Sequence, residues 1–241
     1  MKFQFLTILV FLVLMGCETS STNVNQTAVP AVKPAVTGPV ALAIEWPTEG
    51  EVVHSNDVAV KFRLENYEIA PEGQHIHLIL DNEPYVPVYS VSEPYLLKDV
   101  KSGIHTLRAF PSRAWHESIK EHTAFASLTF YVESKKGKPP VDFSKEPVLT
   151  YSRPKGKYEG QKANSILFDF WLSNAELEKN GYQVRYTIDK KRPEVLDQWR
   201  PIYFQDLSTG KHTLVVELID RKGKLVKGQY NRTEREFEVL K

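Results

Sequence analysis

Apolar residues recur at every second position over many short runs between residue 39 and the C-terminus. In 75–81, for example, Ile76, Leu78 and Leu80 alternate with other residues, and the runs are separated by Pro, Gly, Asn and Asp. A period of two is typical of strands that bury one face, and many short strands between turn residues predict an antiparallel sandwich. Since no segment carries a helical stripe, the sequence predicts an all-β fold.

The chain contains an internal duplication. The segment 93–107 aligns without gaps on 200–214, and 60–66 aligns on 168–174. Self-similarity at a nearly fixed offset indicates repeated structural units, so we expect two tandem copies of one domain. The identical pairs are Pro94/Pro201, Asp99/Asp206, Gly103/Gly210, His105/His212, Thr106/Thr213, Leu107/Leu214, Phe62/Phe170, Leu64/Leu172, Asn66/Asn174 and Asp81/Asp189.

The strand count of each copy points to one kind of sandwich. Seven short strands in a segment of this length are typical of immunoglobulin-like and fibronectin-III-like domains. The run from Leu207 to Gly223, L-x-x-G-x-H-T-L followed by V-x-L-I-D-x-x-G, resembles bacterial Ig-like domains. The resemblance implies the fold and says little about function. In the first copy the strands are predicted near 40–46, 58–65, 75–81, 85–90, 95–99, 104–110 and 123–133.

These patterns predict two tandem Ig-like antiparallel β-sandwiches. The first occupies residues 39–134 and the second occupies 148–241. Residues 135–147 are polar and rich in Pro, Gly and Lys, which predicts a linker. Residues 17–38 are rich in Thr, Ser, Val, Ala and Pro and have no period, so they predict a flexible, disordered tether.

The first 16 residues have the pattern of a lipoprotein signal peptide. The apolar run Phe3–Met15 is too short for the roughly 30 Å hydrocarbon core of a bilayer, and a short apolar run after a basic residue is typical of a secretion signal. Leu14-Met15-Gly16-Cys17 resembles a bacterial lipobox, which implies cleavage before Cys17 and attachment of lipid, including palmitate, to that cysteine. The position of the chain's only cysteine supports this interpretation.

The residue after Cys17 bears on localisation. In lipoproteins of the proteobacterial type, an aspartate at that position retains the protein in the inner membrane, but here the residue is Glu18. We therefore expect a cell-envelope lipoprotein of the outer membrane. Several acyl chains on one cysteine would anchor it stably.

Composition excludes several classes of protein. The 31 basic and 30 acidic residues give a net charge of +1, which argues against broad binding to nucleic acid. A single cysteine excludes an internal disulfide and a cysteine-based zinc cluster. No GxSxG, HExxH, P-loop or GxGxxG motif is present. We expect neither catalysis nor a cofactor.

The first copy carries an unusual set of outward-facing side chains. Because Ile76, Leu78 and Leu80 take the core parity, His75 and His77 face outward on one sheet. The third and sixth strands of such sandwiches pair, which places Arg108 and Phe110 beside them. Tyr131 of the last strand is expected on the same face. Two imidazoles, a guanidinium and aromatic rings predict an exposed docking face.

The loop after the sixth strand differs between the copies. The second copy has the plain turn Asp220-Arg221-Lys222-Gly223, whereas the first has 110–118 with Arg113, Trp115 and His116. Function on sandwiches tends to reside in loops. The predicted recognition surface is therefore His75, His77, Arg108, Phe110, Arg113, Trp115 and His116, on which the arginines would pair with carboxylate or phosphate.

The histidines allow a competing interpretation. The spacing His75-x-His77 puts two imidazoles on one strand face, as in a two-ligand arm of a Cu or Zn site. The third ligand would come from His105, His116 or His122. His105 and His212 share the core parity of their strands, so we expect them to be structural. The best alternative metal set is His75, His77 and His116.

The predicted function follows from these expectations. We expect a lipid-anchored envelope lipoprotein with a non-catalytic binding or scaffolding role, with recognition on the first domain. Its partners would be the membrane, through the anchor, and an envelope protein or glycan, and not nucleic acid. The alternative is a periplasmic Cu- or Zn-binding protein that uses the histidines of the first domain.

Overall fold

The computed structural model describes residues 38–240. Within this range the chain forms sixteen strands and two short 3-10 turns, with no α-helix, so the predicted all-β fold is confirmed. Neither turn, among these residues, has the length or the hydropathy of a membrane span. The signal peptide, Cys17 and the tether up to residue 37 lie outside the described residues.

The first sandwich consists of a three-stranded and a five-stranded sheet. The order is β1-β3-β6 in the small sheet and β2-β8-β7-β4-β5 in the large one. All seven predicted strands are present, and β2, whose two residues pair in parallel with β8, was missed. Its strands are β1 (Ala41–Trp46), β2 (Val52–Val53), β3 (Val58–Glu65), β4 (His75–Leu80), β5 (Val86–Val88), β6 (Tyr95–Leu97), β7 (Gly103–Ser112) and β8 (Ala126–Val132).

The second sandwich repeats this arrangement strand for strand. Its small sheet has the order β9-β11-β14 and its large sheet the order β10-β16-β15-β12-β13. A parallel pair, β10 with β16, again occupies the edge of the large sheet. Its strands are β9 (Val148–Arg153), β10 (Gly156–Tyr158), β11 (Ser165–Ser173), β12 (Gln183–Ile188), β13 (Glu194–Leu196), β14 (Ile202–Gln205), β15 (Gly210–Ile219) and β16 (Arg232–Val239).

The two copies also agree in register. His77 lies opposite Phe110 in the β4–β7 ladder, and Arg185 lies opposite Glu217 at the corresponding place of β12–β15. The predicted pairing of the third and sixth strands is thus confirmed as β4 with β7. Because a one-residue slip would move every side chain to the other face, the shared register means that equivalent positions can be compared directly.

Alternation fills each core as predicted. Ile76 and Leu78 of β4 pack with Leu107 of β7 in the first core, and Val184 and Leu214 occupy the same places in the second. All five side chains are buried. The period-two pattern therefore identified the inner face of both large sheets.

A His–Asp brace, formed by His105 with Asp81 and repeated by His212 with Asp189, closes one end of each core. The Nδ1 of His105 lies 2.8 Å from Asp81, whose other carboxylate oxygen accepts a hydrogen bond from the Thr106 amide. His212 and Asp189 repeat this arrangement, with an Nδ1–Oδ2 distance of 2.7 Å. The hydrogen bond to Asp81 raises the pKa of His105 above its usual value. These contacts support the structural role expected for both histidines.

The segment between the sandwiches is packed against the second one. Val141 is buried with Val148 and Tyr230, and the ring of Phe143 stacks on that of Tyr230. The described residues, 38–240, belong to one compact unit. The outer face of the large sheet of the first sandwich meets the outer face of the small sheet of the second, and the candidate site lies at this junction.

Candidate functional site: a three-histidine cluster at the junction

The predicted docking face is covered and does not reach solvent. His75, His77, Arg108 and Phe110 point out of the first core as expected, yet each is at most 1% exposed. Tyr131, also expected on an open face, is buried. Alternation identifies the residues that leave a core, but it does not reveal which other part of the chain covers them. The expectation of an exposed surface at these positions was therefore wrong.

Aromatic and polar contacts join the two sandwiches. Phe110 stacks on Trp171 of β11, with ring centroids 5.7 Å apart. The hydroxyl groups of Thr106 and Tyr230 are 2.9 Å apart across the junction. Within the second sandwich, Trp199 meets Trp171 edge to face, with ring centroids 4.8 Å apart. Such pairs add stabilisation beyond the area that they bury.

Arg108 is held inside the junction by neutral groups. Its guanidinium donates to the Thr150 hydroxyl at 3.0 Å and to the carbonyl of Asp81, and it lies 4.0 Å from the centre of the Tyr230 ring. Burial lowers the pKa of Arg108 to about 10, so the group is still charged at neutral pH. Its hydrogen bonds within the junction explain why it does not serve as an exposed anion-binding arginine.

A largely buried ion pair fixes the loop of the first copy to β11. Lys120 donates to Asp169 at 2.5 Å and to the Phe170 carbonyl at 2.8 Å, and Asp169 also accepts from the Ser118 amide. Burial lowers the pKa of Lys120, and the neighbouring Asp169 opposes this effect. Sequence reasoning missed this pair because it joins residues 49 positions apart.

Three histidines converge at one edge of the junction. The Nε2 of His75 lies 3.1 Å from the Nε2 of His77 and 3.0 Å from the Nδ1 of His116. All three candidate ligand atoms lie within 4.8 Å of one another. His75 and His77 are adjacent outward positions of β4, while His116 comes from the loop after β7. The structure therefore brings together the alternative metal set named from the sequence.

The second ring nitrogens of His75 and His77 contact groups that orient these two imidazoles. The Nδ1 of His75 donates to the Gly73 carbonyl at 2.8 Å, which leaves its Nε2 with a free lone pair. The Nδ1 of His77 is 3.0 Å from the Ser152 hydroxyl of the second sandwich. Tyr85 stacks on His77 with centroids 3.5 Å apart. Metal-binding histidines usually have their second nitrogen fixed in this way.

Burial keeps the three imidazoles neutral. Desolvation lowers the pKa of His75 and lowers that of His77 well below the usual value. Desolvation, with the positive charge of Arg153 next in importance, lowers the pKa of His116 to about 3. Neutral imidazoles are the form that binds metal ions, and no proton has to be displaced from them near neutral pH.

The spacing is close to that of a metal site. A zinc–nitrogen distance of about 2.0–2.1 Å in tetrahedral geometry puts ligand nitrogens about 3.3–3.4 Å apart. The two short nitrogen–nitrogen distances, 3.0 and 3.1 Å, fall a few tenths of an ångström below this range. The third pair, between His77 and His116, is within 4.8 Å, so an ion bound by all three nitrogens requires the rings to rotate. Without one, the single lone pair of His75 Nε2 can accept a hydrogen bond from a neighbouring ring.

The other candidates lie around this cluster or apart from it. Trp115 is 55% exposed, and its indole donates to Glu117 at 2.9 Å. Arg113 is half-buried, lies over the Trp115 ring at 5.5 Å and pairs with Glu117 at 3.8 Å, so only Trp115 keeps the exposure predicted for it. His122 is exposed and stands outside the cluster. His105 is committed to its brace with Asp81.

Several residues near the cluster were not singled out from the sequence. These residues are Arg153, Lys155 and Tyr85. The Lys155 ammonium lies 4.0 Å from the centre of the Tyr85 ring and donates a hydrogen bond to the backbone carbonyl of Tyr85 at 2.5 Å. The only signal was the basic run around Arg153 and Lys155 in the second copy. Their proximity to the histidines depends on the docking of the two sandwiches.

Comparison with known proteins gives only distant structural likenesses. No protein-family model matches the sequence, and no curated protein matches it. The fibronectin(III)-like modules of Clostridium thermocellum CbhA are 11% identical, with 82% of this chain and 93% of that chain covered and a TM-score of 0.30. SGBP-B of the Bacteroides ovatus mixed-linkage glucan utilization locus, solved with a heptasaccharide, is 12% identical, with 83% and 70% covered and a TM-score of 0.25. The fold assignment rests on the strand order and register described above.

Proposed function

We propose that the protein is a lipid-anchored envelope protein that binds a transition-metal ion and catalyses no reaction. The ion is held by His75, His77 and His116 at the junction of the two sandwiches. The observation that carries this proposal is the convergence of three neutral ring nitrogens at 3.0 and 3.1 Å. An exposed docking face on the same residues is no longer part of the proposal.

The ligand chemistry selects the class of ion. Imidazole suits Zn²⁺, Cu²⁺ and related ions, whereas Ca²⁺ and Mg²⁺ require oxygen ligands. Within residues 38–240, no carboxylate belongs to the group that can hold the ion. An all-nitrogen set therefore favours copper or zinc. A fourth position remains for water or another ligand, since zinc is usually four-coordinate.

Titration calorimetry with Zn²⁺ and Cu²⁺ tests the proposal on the full-length protein in a neutral detergent. We expect one ion per chain at micromolar affinity or tighter. The substitution His116→Gln should weaken binding at least about a hundredfold, because it removes one of three direct ligands. His116 is the only partly exposed member of the set, so its replacement disturbs packing least.

A matched control uses a histidine outside the cluster. His122 is exposed, and His122→Gln should leave the affinity unchanged. Equal losses in both variants would contradict the assignment, as would the absence of heat above buffer in the wild type. His77→Ala should also abolish binding, and circular dichroism would show whether that buried change leaves the fold intact.

Lipid anchoring is the second part of the proposal and rests on the lipobox-like run ending at Cys17. Labelled palmitate should be incorporated into the wild type and not into Cys17→Ser. The variant should also move from the membrane to the soluble fraction. Labelling that survives the substitution would refute the anchor without affecting the metal proposal.

A further inference from the structure

A cationic pocket lies beside the histidine cluster, between the loop of the first sandwich and the β9–β11 segment of the second. Its volume is about 280 Å³. Binding pockets often form at domain interfaces, and those of about 300–1,000 Å³ take drug-sized ligands, so this one suits a single small ring. The lining residues are Ala114, Trp115, His116, Arg153, Lys157, Tyr158, Lys162, Ser165 and Leu167.

The charge of the lining has one sign. Arg153, Lys157 and Lys162 contribute positive charges, and no carboxylate lines the pocket. Lys157 pairs at 3.0 Å with Glu238, which is not among the lining residues. Neither Arg153 nor Lys162 forms an ion pair with any residue in the described range. Like charges close together destabilise a fold, so their concentration in one concavity favours binding of an anion.

The Arg153 guanidinium has unused hydrogen-bonding capacity. Its Nε is buried and has no hydrogen-bond partner among the described residues. Its Nη1 makes only long contacts, 3.3 Å to the Tyr158 hydroxyl and 3.5 Å to the Lys155 carbonyl. A guanidinium presents several donors in a fixed plane that matches carboxylate and phosphate oxygens. Arg108 and Arg235 also have an unpartnered, buried Nε, but of the three arginines only Arg153 lines the pocket. Its position in the lining and the weak contacts of its Nη1 are therefore the second observation that points to an anion.

The lining of the pocket also includes an exposed aromatic ring. Trp115 is 55% exposed, which makes it the most exposed of the large apolar side chains in the described part of the chain. Its hydrogen bond to Glu117 and its contact with Arg113 hold the indole in place. An aromatic ring and cationic groups in one pocket suit a ligand that combines a ring with a negative charge.

We propose that this pocket binds an anionic sugar, either a sugar acid or a sugar phosphate. The carboxylate or phosphate lies against Arg153 and Lys162, and the sugar ring lies against Trp115. His116 lines the pocket and also belongs to the histidine cluster, whereas Arg153, Lys162 and Trp115, which carry this proposal, are not among the metal-ligating residues. Binding therefore does not require an ion, and this proposal can stand or fall independently of the proposed metal function.

The test is calorimetry on the full-length protein after treatment with EDTA, in low-salt buffer free of phosphate. Glucuronate and glucose 6-phosphate represent the two sources of anionic charge. Glucose represents the ring without a charge, and inorganic phosphate represents the charge without a ring. We expect both anionic sugars to bind with dissociation constants in the millimolar range or tighter. Inorganic phosphate should bind more weakly, and glucose should give no heat of binding. If only one of the two anionic sugars binds, the result identifies the acidic group.

Variants assign the binding to this pocket. Lys162→Gln should weaken both anionic sugars about tenfold, as expected for loss of one charged contact. Lys179→Gln makes the same change of charge at an exposed position away from the pocket and should have no effect. Trp115→Ala should weaken the sugars but not phosphate.

Three results would overturn the proposal. These are silence of both anionic sugars at millimolar concentration, equal binding of glucose, and equal losses in Lys162→Gln and Lys179→Gln. Inorganic phosphate that binds as tightly as glucose 6-phosphate would refute the role of Trp115. Because the protein is free of metal in these titrations, none of these outcomes bears on the histidine cluster.

Discussion

The large sheets of the two sandwiches have the same register and opposite surroundings. In the first, the cross-strand pair His77 and Phe110 is fully buried by the neighbouring sandwich. In the second, the corresponding pair Arg185 and Glu217 forms a 2.8 Å ion pair that is partly open to solvent. Since the backbone pairing is the same, the side chains alone decide which large sheet is covered.

The small sheets show the reverse. The second sandwich buries Trp171 and Asp169 on the outer face of β11. The equivalent positions of β3 in the first sandwich are Arg63 and Lys61, which pair with Glu45 in exposed salt bridges. Each copy thus buries one outer face and solvates the other. The histidine cluster exists because the duplicated domains dock through unlike faces.

The largest expected effect comes from the aromatic centre of the junction. Trp171→Ala removes a ring that stacks on Phe110 and meets Trp199. Loss of a buried aromatic side chain of this size costs about 3–5 kcal/mol. The equivalent change in the first copy, Arg63→Ala, should stay within about 0.5 kcal/mol because Arg63 is exposed. Urea unfolding of both variants measures the difference, and similar losses would show that the two small sheets are not used differently.

The buried ion pair should come next. Lys120→Ala leaves the Asp169 carboxylate, which is 1% exposed, without its charged partner. Breaking a buried pair in this way costs about 3 kcal/mol. Lys120→Met combined with Asp169→Leu should recover most of the stability, because no unpaired charge remains. If the double variant is as unstable as Lys120→Ala, the loss of stability does not come from leaving the Asp169 carboxylate unpaired, and this explanation is wrong.

A smaller effect is expected from the hydroxyl that touches the cluster from the second sandwich. Ser152→Ala removes the contact with the Nδ1 of His77 and should weaken zinc binding about tenfold. Thr150 lies on the same strand and contacts Arg108 instead, so Thr150→Ala should leave the affinity unchanged. Competition with a zinc-sensitive dye measures both variants. An unchanged affinity in Ser152→Ala would show that the second sandwich does not position the histidines.

The smallest effect concerns pH and the brace of the first core. Because the folded-state pKa of His105 is raised by Asp81, its protonation adds stability below the unfolded pKa of about 6.5. This contribution is lost as pH rises through the folded pKa. The Tm difference between wild type and His105→Gln should therefore be larger at acidic than at alkaline pH. A difference that grows with pH would contradict the raised pKa.

Sequence reasoning recovered the fold because local patterns carry it. Alternation defined both inner faces, and the repeated turn residues revealed the duplication. Asn66 and Asn174, for example, both adopt the left-handed backbone conformation, with φ of 56° and 52°. Short polar side chains tolerate that region, so their recurrence at equivalent turns reflects one backbone requirement met twice.

The candidate site was only partly predictable. The sequence named His75, His77 and His116 as the alternative metal set, and the structure brings these three together. The i, i+2 spacing predicted the pair on β4, whereas the approach of His116 depends on the path of the loop. The covering of the face was missed, although Trp171 gave a signal. It alternates with core residues Phe170 and Leu172 and therefore points outward. A large ring at such a position indicates a covered face.

The most direct test of the central claim is X-ray absorption at the zinc or copper edge on the metal-loaded protein. We predict one ion with three imidazole nitrogens at about 2.0–2.1 Å. In His116→Gln we predict that the ion has one imidazole ligand fewer. An ion bound with a ligand shell that His116→Gln leaves unchanged would contradict the account.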